Sequence, residues 1–227
     1  MSQGVFVTAI DTDAGKTVVS TGLVEVWRAL GKTVAVMKPV ASGCERTDQG
    51  LRNDDAQRLI TASASSMPYE LVNPYAFEAP VAPHIAAQTD GTEIDIAVIE
   101  LAFEQLQATA DRVVVEGVGG WLVPINATKT MADVAQVLGL PVVLVVAVRL
   151  GCLNHALLTA EAIGRSGLTL CGWVANRLDS ECLQVEENIA ALKDRLDAPL
   201  LVDLPFEQDE IKLMRRMRRI NVESLVG

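Results

Sequence analysis

Gly15-Lys16-Thr17, at the end of the run Asp11-Thr12-Asp13-Ala14-Gly15-Lys16-Thr17, combines a residue that lets backbone approach a ligand, a flexible cation and a hydroxyl. In the pattern G-x-x-x-x-G-K-[ST] these supply close contact with phosphate oxygens, a charge for the outer phosphates and a ligand for Mg²⁺. The N–H groups left unpaired at a helix start, with the positive end of its dipole, add to the anion site. A helix is expected directly behind the loop. Val19, Leu23, Val26, Trp27 and Leu30 recur three and four residues apart, and Gly31 follows as a stop. The apolar Val5-Phe6-Val7 before the loop reads as a strand. Binding of a nucleoside triphosphate at residue 15 is the chemistry this implies. The earlier glycine of the pattern is missing, since five residues before Gly15 stands Ile10 and six before it Ala9, where a strand end with negative φ would tolerate the Cβ.

Other residues suit the same chemistry. Glu116 closes the apolar Val113-Val114-Val115 and precedes Gly117-Val118-Gly119-Gly120, the place of a metal-binding acid in phosphate-loop enzymes. Asn53-Asp54-Asp55 stands at an expected helix start, where a carboxylate caps the helix and could also reach a metal. Mg²⁺ takes few protein oxygens beside phosphate and water, so Thr17, Asp55 and Glu116 would suffice, although spacing alone does not choose between Asp54 and Asp55. Lys38 precedes Pro39 at the end of a buried strand. A hydrated ammonium there either meets an anion, such as a transferring phosphoryl group, or snorkels outward. Gly151-Cys152-Leu153-Asn154 opens another helical pattern. Its free N–H groups could receive a carboxylate, or be capped by Asn154 or its neighbours.

The elements that must carry these residues follow from apolar runs at Val34–Met37, Val113–Val115, Val142–Val148, Leu170–Ala175 and Leu200–Leu204, most of them separated by helical patterns. Such alternation predicts right-handed crossovers and an α/β domain of the phosphate-loop NTPase kind, with a mainly parallel sheet and helices on both faces, spanning 1–227 as a single unit. Ligands of such sheets bind beyond the carboxyl ends of the strands, where the polar and glycine-rich residues gather. The connection Ser42–Asn53, a helix from about Asp54 to Ala64 and a stretch containing Pro68, Pro74, Pro80 and Pro83 separate the second and third strands. A connection this long is usually functional or mobile. His84 reads as a packing residue at a helix start.

Composition narrows the classes. With 227 residues, half of them apolar, the chain can bury a continuous core. A formal charge of −10 and a pI near 4.7 oppose a nucleic-acid surface. Met1-Ser2-Gln3-Gly4 lacks a basic leader, so a cytoplasmic protein is expected. The most apolar run, Pro141–Val148, stops at Arg149, far short of the roughly 20 residues that cross a bilayer. Cys44, Cys152, Cys171 and Cys182, with His84 and His155, have no zinc-site spacing.

Taken together, the phosphate loop, Lys38-Pro39-Val40-Ala41-Ser42-Gly43, Gly50-Leu51-Arg52-Asn53-Asp54-Asp55, Val115-Glu116-Gly117-Val118-Gly119-Gly120-Trp121, Leu150-Gly151-Cys152-Leu153-Asn154-His155-Ala156 and Gly172-Trp173-Val174-Ala175-Asn176 resemble the dethiobiotin synthetases. The likeness runs from residue 5 to about 206. It implies ATP- and Mg²⁺-dependent ureido ring closure on 7,8-diaminononanoate with CO2, by way of a carbamate and a carbamic-phosphoric anhydride. By motif position, Asp13, Ala14, Gly15, Lys16, Thr17 and Val18 would wrap the phosphates, with Glu116, Gly117, Val118 and Gly119 beside them. Thr17, Asp55 and Glu116 would hold magnesium. Lys16, Lys38 and Thr12 would be catalytic, with Lys38, Thr12, Ser42 and Gly119 at the carbamate and amines. Gly151, Cys152 and Asn154 would take the substrate carboxylate. Asn176, Arg177 and the Pro205-Phe206-Glu207 turn would recognise adenine. The resemblance also implies a homodimer, in which Asn188 replaces a tyrosine that some members place near the carboxylate from the partner chain.

Two rivals carry different expectations. Lys212, Arg215, Arg216, Arg218 and Arg219 mix with Leu213, Met214 and Met217 within 211–220, a basic amphipathic stretch that would suit an ATP-driven partner or membrane switch of the cell-division type. An amidotransferase-type synthetase would need an added glutaminase domain, for which the chain has no room.

Overall fold

The computed structural model describes residues 3–207, 209–220 and 222–225. The chain opens with β1 (Gln3–Ala9), the phosphate loop and α1 (Lys16–Ala29), followed by β2 (Val34–Met37). An excursion then holds β3 (Val40–Ala41), β4 (Glu45–Thr47), β5 (Gly50–Arg52), α2 (Asp54–Ser63), α3 (Tyr69–Val72), β6 (Tyr75–Ala76) and α4 (Pro83–Thr89). Regular alternation resumes with α5 (Ile96–Gln107), β7 (Arg112–Glu116), α6 (Met131–Leu138), β8 (Val142–Ala147), α7 (Cys152–Arg165) and β9 (Leu170–Asn176). The chain continues through α8 (Val185–Lys193), β10 (Leu200–Leu204) and α9 (Glu210–Met217).

Six strands form one parallel sheet in the order β10-β9-β8-β1-β7-β2. Strands so placed are covered on both faces, which explains their continuous apolar runs. Successive side chains of β8 enter different cores: Val143 and Val145 join the cluster under α1 and α5, whereas Leu144 and Val146 pack with Trp173 and residues of α7 and α8. Ala9 is fully buried at the end of β1, and positive φ among the described non-glycine residues is confined to Asp13, Ala64 and Gln184. Its Cβ therefore sits without strain, as expected at a strand end.

Two local expectations are corrected. The connection after Ser42 is not a plain loop, because Glu45–Thr47 and Gly50–Arg52 pair as an antiparallel hairpin. Its strands are short and mostly exposed, so they carry no apolar alternation that would have announced them. The start of α2 is capped by neither aspartate: Asn53 Oδ1 accepts the Ala56 N–H at 3.1 Å, leaving both carboxylates for other work. His84 does lie at the second position of α4, behind Pro83. No helix among the described residues is long and apolar enough to cross a membrane.

Candidate active site

Parallel register sets the strand ends side by side. Val7 pairs with Glu116, and the Gly117 N–H donates to Val7 O at 3.0 Å, so the phosphate loop and the 117–120 turn leave the sheet together. Within the loop Asp13 has φ 56° and Gly15 φ 90°, both left-handed, which turns successive N–H groups toward one concavity. Glycine at 15 is required twice, since a Cβ there would also lie 2.2 Å from Asn176 Nδ2. That amide donates to Ala14 O at 2.9 Å and ties the end of β9 to the loop.

The charged residues meet in this concavity. Lys16 Nζ donates to Gly119 O at 2.7 Å. The Thr17 hydroxyl lies 2.7 Å from Asp55 Oδ1 and 3.0 Å from Glu116 Oε1. Lys38 Nζ reaches Asp55 Oδ2 at 2.8 Å and Glu116 Oε1 at 2.6 Å. Lys38 is thus no snorkelling lysine: it is 3% exposed and points inward, with Glu116 at 0%. Asp55 belongs to the cluster, whereas Asp54 is exposed and lines a separate surface hollow with Thr21, Glu25 and Gln57. The choice that spacing left open is decided by which side of the first turn of α2 faces β7.

Burial penalises every charge here, and the outcome differs by residue. For Lys38 the neighbouring Glu116 and Asp55 carboxylates outweigh burial and hold the ammonium above the usual lysine value. For Asp55 burial is likewise overcome by Lys38, and its carboxyl sits below the usual range. Lys16 has no carboxylate in contact among the described residues, so burial and then repulsion from Lys38 push it down to about 8. Glu116 Oε2 is buried with no hydrogen-bond partner among the described residues. The oxygens of Thr17, Asp55 and Glu116 therefore converge on a spot with an unused acceptor, a donor set suited to a hard cation.

Two hollows flank this cluster. One of about 240 Å³ is lined by Gly15, Val18, Asn176, Arg177, Pro205, Phe206, Glu207 and Leu213, so the residues expected at the base do come together. Arg177 turns its guanidinium away, onto Asp203 at 2.5 Å and Glu186 at 2.7 Å, and Glu207 pairs with Lys212 at 3.1 Å. The other, about 400 Å³, runs from Ile10, Asp11 and Thr12 along Gly120–Pro124 to Leu158 and Ala162. Ser42 lies half-buried just after β3, and Val118 is half-buried in its turn. At the start of α7, Gly151 is the cap residue, with φ 94° and no side-chain bond to the first turn. Capping by Asn154 is thereby corrected, because a left-handed glycine occupies the cap position. Cys152 is buried and Asn154 exposed there. Asn188 is not brought to the cluster: it sits half-buried on α8 and donates to Gln184 O at 2.9 Å.

Residues 3–212 match a family described as an AAA domain. Over 204 residues the chain is 52% identical to the ATP-dependent dethiobiotin synthetase BioD of Xanthomonas oryzae pv. oryzae strain PXO99A, covering 90% of this chain and 91% of that one. The protein of the same name from Nitrosospira multiformis is 50% identical over 209 residues, covering 92% and 91%. The chain belongs to the ATP-dependent dethiobiotin synthetases. As a member of that family it is an ATP-dependent ligase. Among solved structures it is similar to the septum site-determining protein MinD in complex with Mg-ADP from Pyrococcus horikoshii, with a TM-score of 0.59 at 14% identity over 96% of this chain and 94% of that one. At such identity the likeness is one of fold.

The basic stretch of this synthetase also loses its appeal as a lipid-facing helix. Leu213 and Met217 are buried, and Met217 packs so closely on Gly22 of α1 that a Cβ there would meet it at 2.6 Å. The side chain of Ile211 lies outside the described residues. Sequence reasoning missed Leu213 as a wall of the 240 Å³ hollow and Arg149 as the partner of Asp11 at 2.5 Å. The spacing of Leu213, Met217 and Ile220 by four and three marked a core-facing stripe; no local signal joins Asp11 to Arg149.

Proposed function

We propose that this chain closes the ureido ring of dethiobiotin from 7,8-diaminononanoate, CO2 and ATP with its own residues in the following roles. Lys16 and the loop Asp13 to Val18 hold the triphosphate, helped by the backbone of Gly117, Val118 and Gly119. Thr17, Asp55 and Glu116 would hold Mg²⁺, which when bound neutralises phosphate charge. The substrate amine and CO2 form a carbamate, kept in place by Thr12, Ser42 and Gly119. Lys38 stands where the carbamate oxygen approaches the γ-phosphorus and neutralises both anions as they meet. Transfer gives a carbamic-phosphoric anhydride, and the second amine attacks its carbonyl carbon and expels phosphate. Phosphoryl transfer of this kind needs positioning and charge rather than a covalent nucleophile.

The substrate carboxylate docks at the helix start formed by Gly151, Cys152 and Asn154, which lacks a side-chain cap; the Gly151 and Asn154 N–H groups face it, while the Cys152 N–H donates to Arg149 O at 3.0 Å and fixes the turn. Adenine enters the hollow between Asn176, Arg177 and Pro205–Glu207. A homodimer completes the tail site, with Asn188 supplied by the second subunit. The exposed Leu122, Leu150 and Leu158 near that end favour a subunit contact. ATP chemistry and four free cysteines suit the cytoplasm, and nothing in the composition invites nucleic acid or lipid.

The observation that carries this reading is the convergence of Lys38 on Asp55 and Glu116 beside Lys16. Purified protein mixed with diaminononanoate, bicarbonate, Mg²⁺ and ATP should release phosphate only when the diamine is present. Phosphate release indifferent to the diamine would refute it.

A further inference from the structure

α3 has no residue in the cleft, yet it grips both sides of the site. The Lys38 N–H donates to Val72 O at 2.8 Å, and the Lys38 carbonyl accepts from Asn73 Nδ2 at 2.7 Å. Asn73, 3% exposed, uses the same nitrogen on Tyr75 O at 3.2 Å, so its amide orientation is determined. Its oxygen accepts from the Tyr69 hydroxyl at 2.9 Å. That hydroxyl accepts in turn from the Asn53 N–H at 2.8 Å, and Asn53 caps the helix that presents Asp55. The Tyr69 ring is fixed from its face by Arg52, 4.1 Å from the ring centre.

We propose that Tyr69 and Asn73 are positioning residues, which set the separation of Lys38 and Asp55 through the chain Lys38 O, Asn73, Tyr69 and Asn53 N. Lys38 and Asp55 lie in separate segments, and this bridge joins the residue after β2 to the cap of α2 through the buried Asn73 and the half-buried Tyr69 rather than through the charges themselves. Catalytic groups lose effect when displaced by about 1 Å, and a shell of neutral hydrogen bonds prevents such drift. The inference rests on the reading that Lys38 and Asp55 act together.

Tyr69→Phe removes the hydroxyl and keeps the ring. It should lower kcat about tenfold, raise the half-saturating Mg²⁺ concentration severalfold and leave the Kd for ADP measured without metal within twofold. Asn73→Ala should do the same to a larger degree. A lower kcat with unchanged half-saturating Mg²⁺ in both variants means only loss of folded enzyme and overturns the assignment, as does parent-like behaviour of Tyr69→Phe. A parent protein without diamine-dependent turnover would instead sink the functional reading, leaving these outcomes distinct.

Discussion

At the phosphate loop, side chains from α1, α2, β7 and the residue after β2 bond one another in a cluster around the buried Lys38 and Glu116. At the end proposed for the substrate carboxylate, the start of α7 has no side-chain cap, and Asn188 lies half-buried on another helix, α8. The first region draws all of these groups from one chain and bonds them to one another. The second is the end for which we propose that a second subunit supplies the remaining contacts. Chemistry that depends on ångström-scale placement is built from the core, whereas recognition of a solvated tail is left to the surface.

The strongest way to break this contrast is Lys38→Ala. Removing one preorganised donor from a reacting centre should reduce diamine-dependent phosphate release about 10²–10³-fold with nucleotide affinity retained. The variant also leaves Glu116 buried without its cation, so denaturant unfolding should report a loss of about 3–5 kcal/mol. Normal turnover would mean that the cluster is structural only.

A paired substitution sharpens the comparison, because Gly15 and Gly151 share a left-handed backbone, at φ 90° and 94°. Gly15→Ala meets Asn176 as well as backbone strain, and ADP affinity should fall about tenfold or more. At Gly151 a Cβ enters open space, so the alanine variant should cost about 1 kcal/mol of stability and raise the KM for the diamine alone. Equal losses of ADP affinity in the two variants would erase the distinction.

At the tail end, Asn188→Ala removes one neutral hydrogen-bond donor. The diamine KM should rise about threefold to tenfold with kcat unchanged, and an unchanged KM excludes the residue from the site. The smallest effect is a proton. Lys16 titrates at about 8 in the free protein, and phosphate favours its charged form. Below that pH the ammonium is already present; above it, binding must take a proton up. In metal-free buffers of different ionisation enthalpy, calorimetry with ADP should therefore show uptake of about half a proton at pH 8, more at pH 9, and weakening affinity as pH rises. Proton release would reverse the sign and contradict the environment assigned to Lys16.

The strand, phosphate loop and helix at residues 5–31 were legible because their signals are local: an apolar run, a glycine before lysine and threonine, and a stripe at helical spacing. Glu116 and Lys38 were legible as charges stranded at the ends of buried strands. The hairpin after Ser42 was not, since its short, exposed strands bury too little to impose a pattern. Sequence also determined that the six main strands would be parallel and covered, because runs apolar on both faces leave no side for water. It could not say that Asp55 rather than Asp54 would face Lys38, that Asn53 rather than an aspartate would cap α2, or that α3 would bridge Lys38 to that cap. Those outcomes depend on the rotation of a helix about its axis and on contacts between residues far apart in the chain, and such contacts are decided only when the layers pack.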